Sequence, residues 1–305
     1  MQFSTSTSLF AVAGAVLALS MAQPAYAAEG YVVGNAASAV AADPAIAELV
    51  PQTIKDAGVL RISVYGNTPY AMTNEGSELF GAVIDLGSAI AATMGLEAVI
   101  EDNGSVAASR VSVESGRYDL GMGPFLDSAD TEAQFNIINW IKVTPGFVFR
   151  AGESYSDPLD FCGKSLAIVS GSVPVERNME ALKAGCAAAN LEEPKVDAYG
   201  DQNATIVAVL SERNDTTVMG SASALYIASN QSDRLAAFSA ETDIFAVGIF
   251  SGMGMSKQNP ELATAVLAAM EKLAADGAYE AIFSAYGLAD LLVEDFAINP
   301  ITGGL

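Results

Sequence analysis

The residues that could do chemistry are few in this chain, and their types exclude several kinds of reaction. The sequence contains no histidine and only two cysteines. Without histidine, Ser-His-Asp and Cys-His catalysis and nearly all zinc sites with His ligands are excluded. Acid–base catalysis by carboxylates needs paired Asp or Glu side chains at one cleft, and Asp127 is the one plausible candidate. We therefore expect a non-enzymatic protein with no cofactor and no metal.

Length and composition indicate a globular protein with two domains. The chain has 305 residues, of which 51% are hydrophobic and 16% are charged, so each of two domains could bury its own core. The formal net charge of −22 argues against nucleic acid as a partner, because the phosphate backbone would be repelled.

The first residues resemble a secretory signal. Residues 1–27 contain an apolar segment, Leu9–Leu19, followed by the small-x-small pattern Ala25-Tyr26-Ala27, which signal peptidase cleaves. The alternative is a membrane anchor, but the apolar run is shorter than the roughly 20 residues that a bilayer requires. No cysteine lies near the cleavage site, so we expect no lipid anchor. The mature protein is predicted to be soluble, in the periplasm or secreted, after cleavage near Ala27.

One stretch organises the prediction of the fold. In residues 115–127 a polar turn with a glycine leads into a short apolar run. We expect a buried strand of a parallel sheet that stops at the pair Gly123-Pro124, with a loop opening at its carboxyl end. Small ligands bind beyond such strand ends in open α/β sheets. A weaker copy at residues 211–221 predicts a second lobe that faces the same cleft.

Strands and helices alternate along the rest of the chain, which is typical of βαβ units. The fold class is therefore predicted as α/β, with two lobes, each a mainly parallel sheet flanked by helices, joined by two crossover strands. The first crossover is expected at Phe147–Phe149 and the return at Ile244–Phe250. The predicted order is a signal peptide at 1–27, an N-terminal arm at 28–52, a first lobe at 53–149 and 246–290, a second lobe at 150–245, and a loosely ordered C-terminal tail at 291–305.

Cys162 and Cys186 are the two cysteines. Because the signal implies an oxidising compartment, we expect them to form a disulfide within the second lobe. The alternative is a reactive or metal-binding pair, but two thiols without histidine are too few ligands for zinc.

Several short motifs occur in a characteristic order between Gly58 and Gly287. They include Gly58-Val59-Leu60-Arg61-Ile62, Gly81 with Asp85-Leu86, Ser115-Gly116-Arg117-Tyr118-Asp119, Cys162-Gly163-Lys164, Ser170-Gly171-Ser172, Lys257 with Asn259-Pro260-Glu261-Leu262, Asp276-Gly277-Ala278-Tyr279 and Tyr286-Gly287. By their order and spacing the chain resembles the bacterial extracellular solute-binding proteins of ABC importers, family 3. These are type II periplasmic binding proteins, mostly for polar amino acids. The resemblance is strongest to a subgroup with a cysteine pair at these two places.

The resemblance implies two hinged lobes that close over one small solute and present it to an ABC permease in the inner membrane. The sequence departs from the family pattern at two positions. Members that bind α-amino acids usually hold the ligand carboxylate with an Arg at the position of Thr131. They pair the ligand ammonium with an Asp at the position of Gly220. A zwitterion held in the usual way is therefore disfavoured, unless Arg110 or Arg150 substitutes from another direction.

The positions that match the family's pocket carry mostly neutral and aromatic residues. They are Tyr65, Asn67, Tyr70, Gly123, Phe125, Asp127, Thr131, Ser172, Val173, Gly220 and Ser221. This set favours a neutral or cationic ligand stacked on an aromatic ring, with Asp127 as the only nearby charge. Tyr70 and Phe125 could equally be core residues, and Asp127 could simply cap the next helix. Trp140 is expected in the core.

The leading hypothesis is a monomeric solute receptor for an ABC importer, whose ligand is amino-acid-like, an amine or a neutral solute. One alternative is a sensor or interaction protein on the same fold with a degenerate pocket. Another is a lyase that depends on carboxylates, which Asp127 alone supports weakly.

Overall fold

The computed structural model describes Gly34, Ala36 and residues 40–170, 173–245 and 249–304. The predicted signal peptide and the candidate Ser172 lie outside these residues. The strands are β1 (Val59–Val64), β2 (Met72–Thr73), β3 (Leu79–Phe80), β4 (Glu97–Asp102), β5 (Leu120–Leu126), β6 (Phe135–Lys142), β7 (Pro145–Arg150), β8 (Ser165–Val169), β9 (Lys195–Tyr199), β10 (Thr216–Gly220), β11 (Leu235–Ser239) and β12 (Phe250–Ser256).

The helices lie between these strands and after them. They are α1 (Pro44–Leu49), α2 (Gln52–Ala57), α3 (Ala82–Thr93), α4 (Val106–Glu114), α5 (Ala129–Gln134), α6 (Val173–Ala188), α7 (Gln202–Leu210), α8 (Ser221–Asn230), α9 (Pro260–Ala275) and α10 (Ala278–Ala285). Several of these helices begin at a residue whose side chain caps the first turn. Asn259 accepts a hydrogen bond from the Leu262 N–H at the start of α9, next to Pro260 at the first helical position.

Ten of the strands form two five-stranded sheets, one in each lobe, and β2 and β3 pair with each other. The first has the order β4-β1-β5-β12-β6 and the second the order β11-β7-β10-β8-β9. In each sheet four strands run in the same direction, and the fifth, β12 in the first sheet and β7 in the second, runs antiparallel to both of its neighbours. The predicted fold class is confirmed.

The repeated polar turns before β5 and β10 have the same structural role in both lobes. The Asp119 carboxylate accepts the backbone N–H of Arg61 at 2.9 Å, joining β5 to β1. The Asp215 carboxylate accepts the backbone N–H of Ser165 at 2.8 Å, joining β10 to β8. Burial alone would raise the pKa of Asp215, but the hydrogen bonds from Ser165 lower it overall. Both aspartates therefore stabilise strand pairing at the amino end of a central strand.

Two strands differ from the prediction. Phe147–Phe149 lies in β7, which pairs with β10 and β11 of the second sheet. The last strand before the crossing is instead β6, and only Val143 and Thr144 separate the two apolar strands, without a turn signal. The strand β5 does not stop at Gly123-Pro124 but continues to Leu126. A register shift in β12 between Gly252 and Gly254 lies opposite this pair, where proline cannot donate a hydrogen bond.

The C-terminal tail is packed, and the expectation that it is loosely ordered is wrong. Asn299 is buried and exchanges hydrogen bonds with Ile137 of β6 at 2.8 and 2.9 Å. The Glu132 carboxylate accepts the backbone N–H groups of Ile301 and Thr302 at 2.8 and 2.6 Å. These contacts hold the tail on the first lobe through buried polar groups, which a search for apolar periodicity does not detect.

The predicted disulfide between Cys162 and Cys186 is present, with the two Cα atoms 5.7 Å apart. It connects the start of the second lobe to α6, where Cys186 is buried. Among the described residues, no helix is both long and apolar enough to cross a membrane.

Removing the disulfide should destabilise the second lobe. We expect a Cys162→Ala/Cys186→Ala variant to lose roughly 3 kcal/mol of unfolding free energy, because the bond closes a loop with a sequence separation of 24. Chemical denaturation with and without a reducing agent measures the loss. The reducing agent should destabilise the parent and leave the variant unchanged, and equal midpoints for parent and variant would contradict the expectation.

Candidate functional site

The cleft contains a loop of the first lobe, residues 66–71, that follows β1. Its carbonyl groups at Pro69 and Tyr70 accept the N–H groups of Ala82 and Val83, at 3.1 and 3.0 Å. A Cβ on Gly81 would lie 2.2 Å from the Tyr70 carbonyl oxygen, and the φ of Gly81 is 137°. Only glycine allows this close approach, so Gly81 fixes the loop on the first turn of α3.

Tyr70 is placed by this loop at the edge of the first lobe's core. It is 9% exposed, and its ring meets Trp140 edge to face with the centroids 5.3 Å apart. Burial raises the pKa of Tyr70, so its hydroxyl is neutral at physiological pH. Trp140 is fully buried, as expected for a core residue. Tyr70 therefore belongs to the core and also lines the cleft.

The second lobe contributes the junction of β10 and α8. Gly220 ends β10 and is the N-cap of α8, where no side chain caps the helix. The Ser221 N–H donates to the Thr144 carbonyl at 3.0 Å. Ser223 Oγ donates across the cleft to the Thr68 carbonyl of the first lobe, also at 3.0 Å. The two lobes therefore touch at the start of α8.

A cavity of about 320 Å³, which we call the polar cavity, lies between these elements. Both lobes line it, through Asn67, Tyr70, Lys142, Val143, Gly220, Ser221, Ala222, Ser223 and Ser251. Among the described residues that line it, Lys142 is the only charged one. Its ammonium lies 3.5 Å from the Glu241 carboxylate, which is itself more than half exposed. An ammonium has three donors, so Lys142 can bind a further acceptor.

A second cavity of about 440 Å³, the apolar cavity, lies beside the crossing strands. It shares Val143 and Gly220 with the polar cavity. Its remaining lining is mostly hydrophobic and consists of Leu126, Thr144, Pro145, Pro174, Val175, Arg177, Asn178, Ala181, Met219 and Ile249. Leu126 is the last residue of β5 and is 54% exposed. The two cavities together lie at the carboxyl ends of β5 and β10, as the sequence predicts for a ligand site.

A larger cavity of about 520 Å³ lies at the opposite, amino end of β1 and β5. The first lobe alone lines it, and its Arg61 is paired with Asp119 at 2.6 Å. Because ligands of open α/β sheets bind at the carboxyl ends of strands, we consider the two cavities of the cleft the better candidates.

Four of the predicted ligand-binding residues line the polar cavity: Asn67, Tyr70, Gly220 and Ser221. A Cβ on Gly220 would meet no atom within 4 Å, so this position opens into the cleft. Val173 begins α6, one residue before Pro174 of the apolar cavity.

Tyr65, Gly123, Phe125 and Thr131 are absent from the linings of both cavities. The Tyr65 ring packs on Gly123, where a Cβ would lie 1.9 Å from a ring carbon. Burial raises the pKa of Tyr65 to about 12. Phe125 is fully buried against Phe135, and Thr131 bonds to Ser128, the N-cap of α5. These four residues pack within the first lobe and away from the two cavities.

Asp127 neither caps α5 nor lines these cavities. The cap is Ser128, while the Asp127 carboxylate accepts a hydrogen bond from Asn139 Nδ2 at 2.6 Å. Its other oxygen is buried and has no hydrogen-bond partner among the described residues. Burial raises the pKa of Asp127 despite the Asn139 bond, and the nearby Glu132 carboxylate raises it further. Burial also opposes ionisation of Glu132, but the hydrogen bonds from Thr302 and Ile301 hold its pKa below the usual range.

Neither of the arginines considered as substitutes reaches the cleft. Arg150 donates to the carbonyls of Val209 and Asn214 and pairs with Glu153 at 2.5 Å. Arg110 lies over the rings of Phe125 and Phe135. Lys142 and Leu126 line the cavities, although neither was predicted to do so. For Lys142 the available signal was a charged residue at the end of an apolar strand, just before a crossover.

The chain matches the family model described as bacterial extracellular solute-binding proteins, family 3, over residues 60–289. It is 23% identical over 258 residues to an arginine-binding protein of Corynebacterium glutamicum, covering 84% of this chain and 83% of that protein. Substrate-binding domain 2 of Lactococcus lactis GlnP, in an open conformation, is similar with a TM-score of 0.64 and 19% identity, covering 81% of this chain and 98% of that chain. The structure of an ancestral cyclohexadienyl dehydratase is similar with a TM-score of 0.56 and 18% identity. The match covers 77% of this chain and 94% of that chain.

Replacing Gly81 should destabilise the loop that carries Tyr70. We expect Gly81→Ala to cost at least about 2 kcal/mol, because of the positive φ and the clash with the Tyr70 carbonyl. Gly200→Ala is the matched control, since a Cβ there meets no atom within 4 Å. Thermal unfolding of both variants measures the difference, and equal melting temperatures would contradict the role assigned to Gly81.

Asp127 should make stability depend on pH in a defined direction. Because its pKa is raised on folding, the folded state binds its proton more tightly, and ionisation at neutral pH costs stability. Asp127→Asn should therefore raise the melting temperature at pH 7, and the gain should shrink as the pH falls towards 4, near the ordinary carboxyl pKa. An exposed control, Asp295→Asn, should give no such gain, and a gain for Asp127→Asn that is equal at both pH values would overturn the assignment.

Proposed function

The chain belongs to the bacterial extracellular solute-binding proteins of family 3, and on that premise we propose that it captures a small polar solute for an ABC importer. In this proposal the mature protein works as a monomer outside the cytoplasmic membrane and delivers its ligand to a permease. The sequence predicts a solute that is amino-acid-like, an amine or neutral, and the charges that line the cleft decide its class. Its relative in Corynebacterium glutamicum is named for arginine binding.

The observation that carries the proposal is the polar cavity between the lobes. Residues of both lobes line it, at the carboxyl ends of central strands, and its volume of about 320 Å³ falls at the lower end of the range for small-molecule sites. A ligand that contacts both lobes favours the conformation in which they are close. The short connection at Val143-Thr144 would be the hinge for this motion.

Two alternatives find less support. A lyase would need acid and base groups at the bound substrate, but the described residues that line the two cavities include no Asp or Glu. The neighbouring carboxylates of Asp127 and Glu132 are buried within the first lobe instead. A sensor with a degenerate pocket would be favoured by a collapsed cleft, whereas the cleft retains two cavities.

A thermal-shift measurement with a panel of amino acids, amines, polyols and short peptides tests the proposal. A solute present at a hundred times its Kd adds about 2.7 kcal/mol of stability, which raises the melting temperature by several degrees. We expect such a shift with at least one solute. No shift with any of them, in a well-folded sample, would count against transport.

A variant that fills the cleft makes the test specific. Gly220→Phe should abolish the shift while it leaves the ligand-free melting temperature nearly unchanged, because a Cβ at Gly220 meets no atom within 4 Å. Gly200→Phe is the control, since its Cβ position is equally open and lies outside both cavities. A shift that survives in Gly220→Phe would place the ligand elsewhere.

A further inference from the structure

We propose that the solute of this cleft is a carboxylate with an apolar body, such as an aryl- or alkyl-substituted small acid, and that it is not a cation. This inference rests on the proposed function, because it names the ligand class of the same site. It differs from the arginine binding for which a relative is named, and it follows from the charge and polarity of the described residues that line the two cavities.

The charges that line the cleft are all positive. Lys142 lies in the polar cavity and Arg177 in the apolar cavity, and no Asp or Glu lines either one within the described ranges. Asp127, expected to supply a negative charge, turns its carboxylate to Asn139 instead. A guanidinium or ammonium taken from water into this cleft would find no carboxylate partner in these linings, and such burial is costly.

Lys142 is positioned to hold a carboxylate. It ends β6 beside the crossing, and its side chain is 27% exposed. Glu241, its ion-pair partner in the part of the chain that the structure describes, is more exposed than Lys142 and lies 3.5 Å away. Hydrogen bonds from an ammonium to a carboxylate are among the stronger ones in proteins. Asn67, Tyr70 and Ser251 line the same cavity.

The apolar cavity provides the place for the rest of the molecule. It shares Val143 and Gly220 with the polar cavity, so one ligand can extend from one cavity into the other. Leu126 is 54% exposed although it ends a central strand, and it lines this cavity together with Met219 and Ile249. A large apolar side chain exposed in a cavity favours a ligand that removes it from water.

Isothermal titration calorimetry with five probes tests the inference: 3-phenylpropanoate, phenylalanine, phenethylamine, glutamine and arginine. We expect 3-phenylpropanoate to bind at least tenfold more tightly than arginine, glutamine and phenethylamine, and more tightly than phenylalanine, whose ammonium would find no carboxylate partner among the described residues of the two linings. Tighter binding of arginine, glutamine or phenethylamine would overturn this inference and leave the proposed function standing. If no probe binds and the broader solute panel also gives no thermal shift, both proposals fall.

Variants locate the two parts of the site. Leu126→Ser should weaken binding of 3-phenylpropanoate about tenfold or more. Val207→Ser is the control, since Val207 is equally exposed at 54% on α7, and it should not weaken binding.

Lys142→Met should weaken the binding of every carboxylate at least tenfold. Lys183→Met is the control, since it removes an ammonium that is paired with Glu180 outside both cavities, and it should not weaken binding. If the control variants weaken binding as much as these two, the inference is wrong.

A reversal of charge provides the last check. Gly220 lines both cavities and is the N-cap of α8, a position that favours aspartate. Gly220→Asp should therefore fold normally, bind 3-phenylpropanoate at least tenfold more weakly and bind phenethylamine more tightly. Unchanged affinity for both probes in a variant with the parent's melting temperature would overturn the inference.

Discussion

The cleft depends on two adjacent connections between the sheets that are hydrogen-bonded to each other. The outgoing connection consists of Val143 and Thr144, and the Val143 N–H donates to the Ile249 carbonyl of the returning connection at 2.8 Å. The Thr144 carbonyl accepts the Ser221 N–H at the start of α8. A Cβ on Gly146 would lie 2.5 Å from the Ala224 side chain, so the helix can lie this close only because residue 146 is glycine. The two sheets are therefore joined so closely that the carboxyl ends of β5 and β10 lie at the same cleft.

Much of the fold could be predicted because it is specified by local patterns. The alternation of apolar runs with helical segments, the caps at Asn259 and the paired cysteines gave the two lobes, most helices and the disulfide. The position of the first crossing could not be predicted, because β6 and β7 are both apolar and only two residues separate them. The packing of the C-terminal tail was missed for a different reason. Its anchors, Glu132 and Asn299, are polar residues whose partners lie far away in the sequence.

The candidate site was predictable in its location and less so in its charge. The loops that carry Asn67, Tyr70, Gly220 and Ser221 follow from strand–loop patterns, and these residues line the polar cavity. At the end of β5 the sequence pointed to Asp127, whereas Leu126 lines the cleft. Adjacent residues of an extended chain point to opposite sides, so a difference of one position replaces a carboxylate by an isobutyl group. Lys142 was missed because the strand that it ends looked like core.

Several buried or half-buried carboxylates of this acidic chain are held by backbone N–H groups. Asp119 and Asp215 accept them from neighbouring strands, Glu132 from the tail, and Asp85 from Gly34. The chain has 36 acidic and only 14 basic residues, so basic side chains are too few to neutralise them all. Peptide dipoles at such short range are screened little by dissolved ions, whereas repulsion among surface carboxylates is screened strongly. Added salt should therefore stabilise this protein, and a saline medium suits its charge pattern.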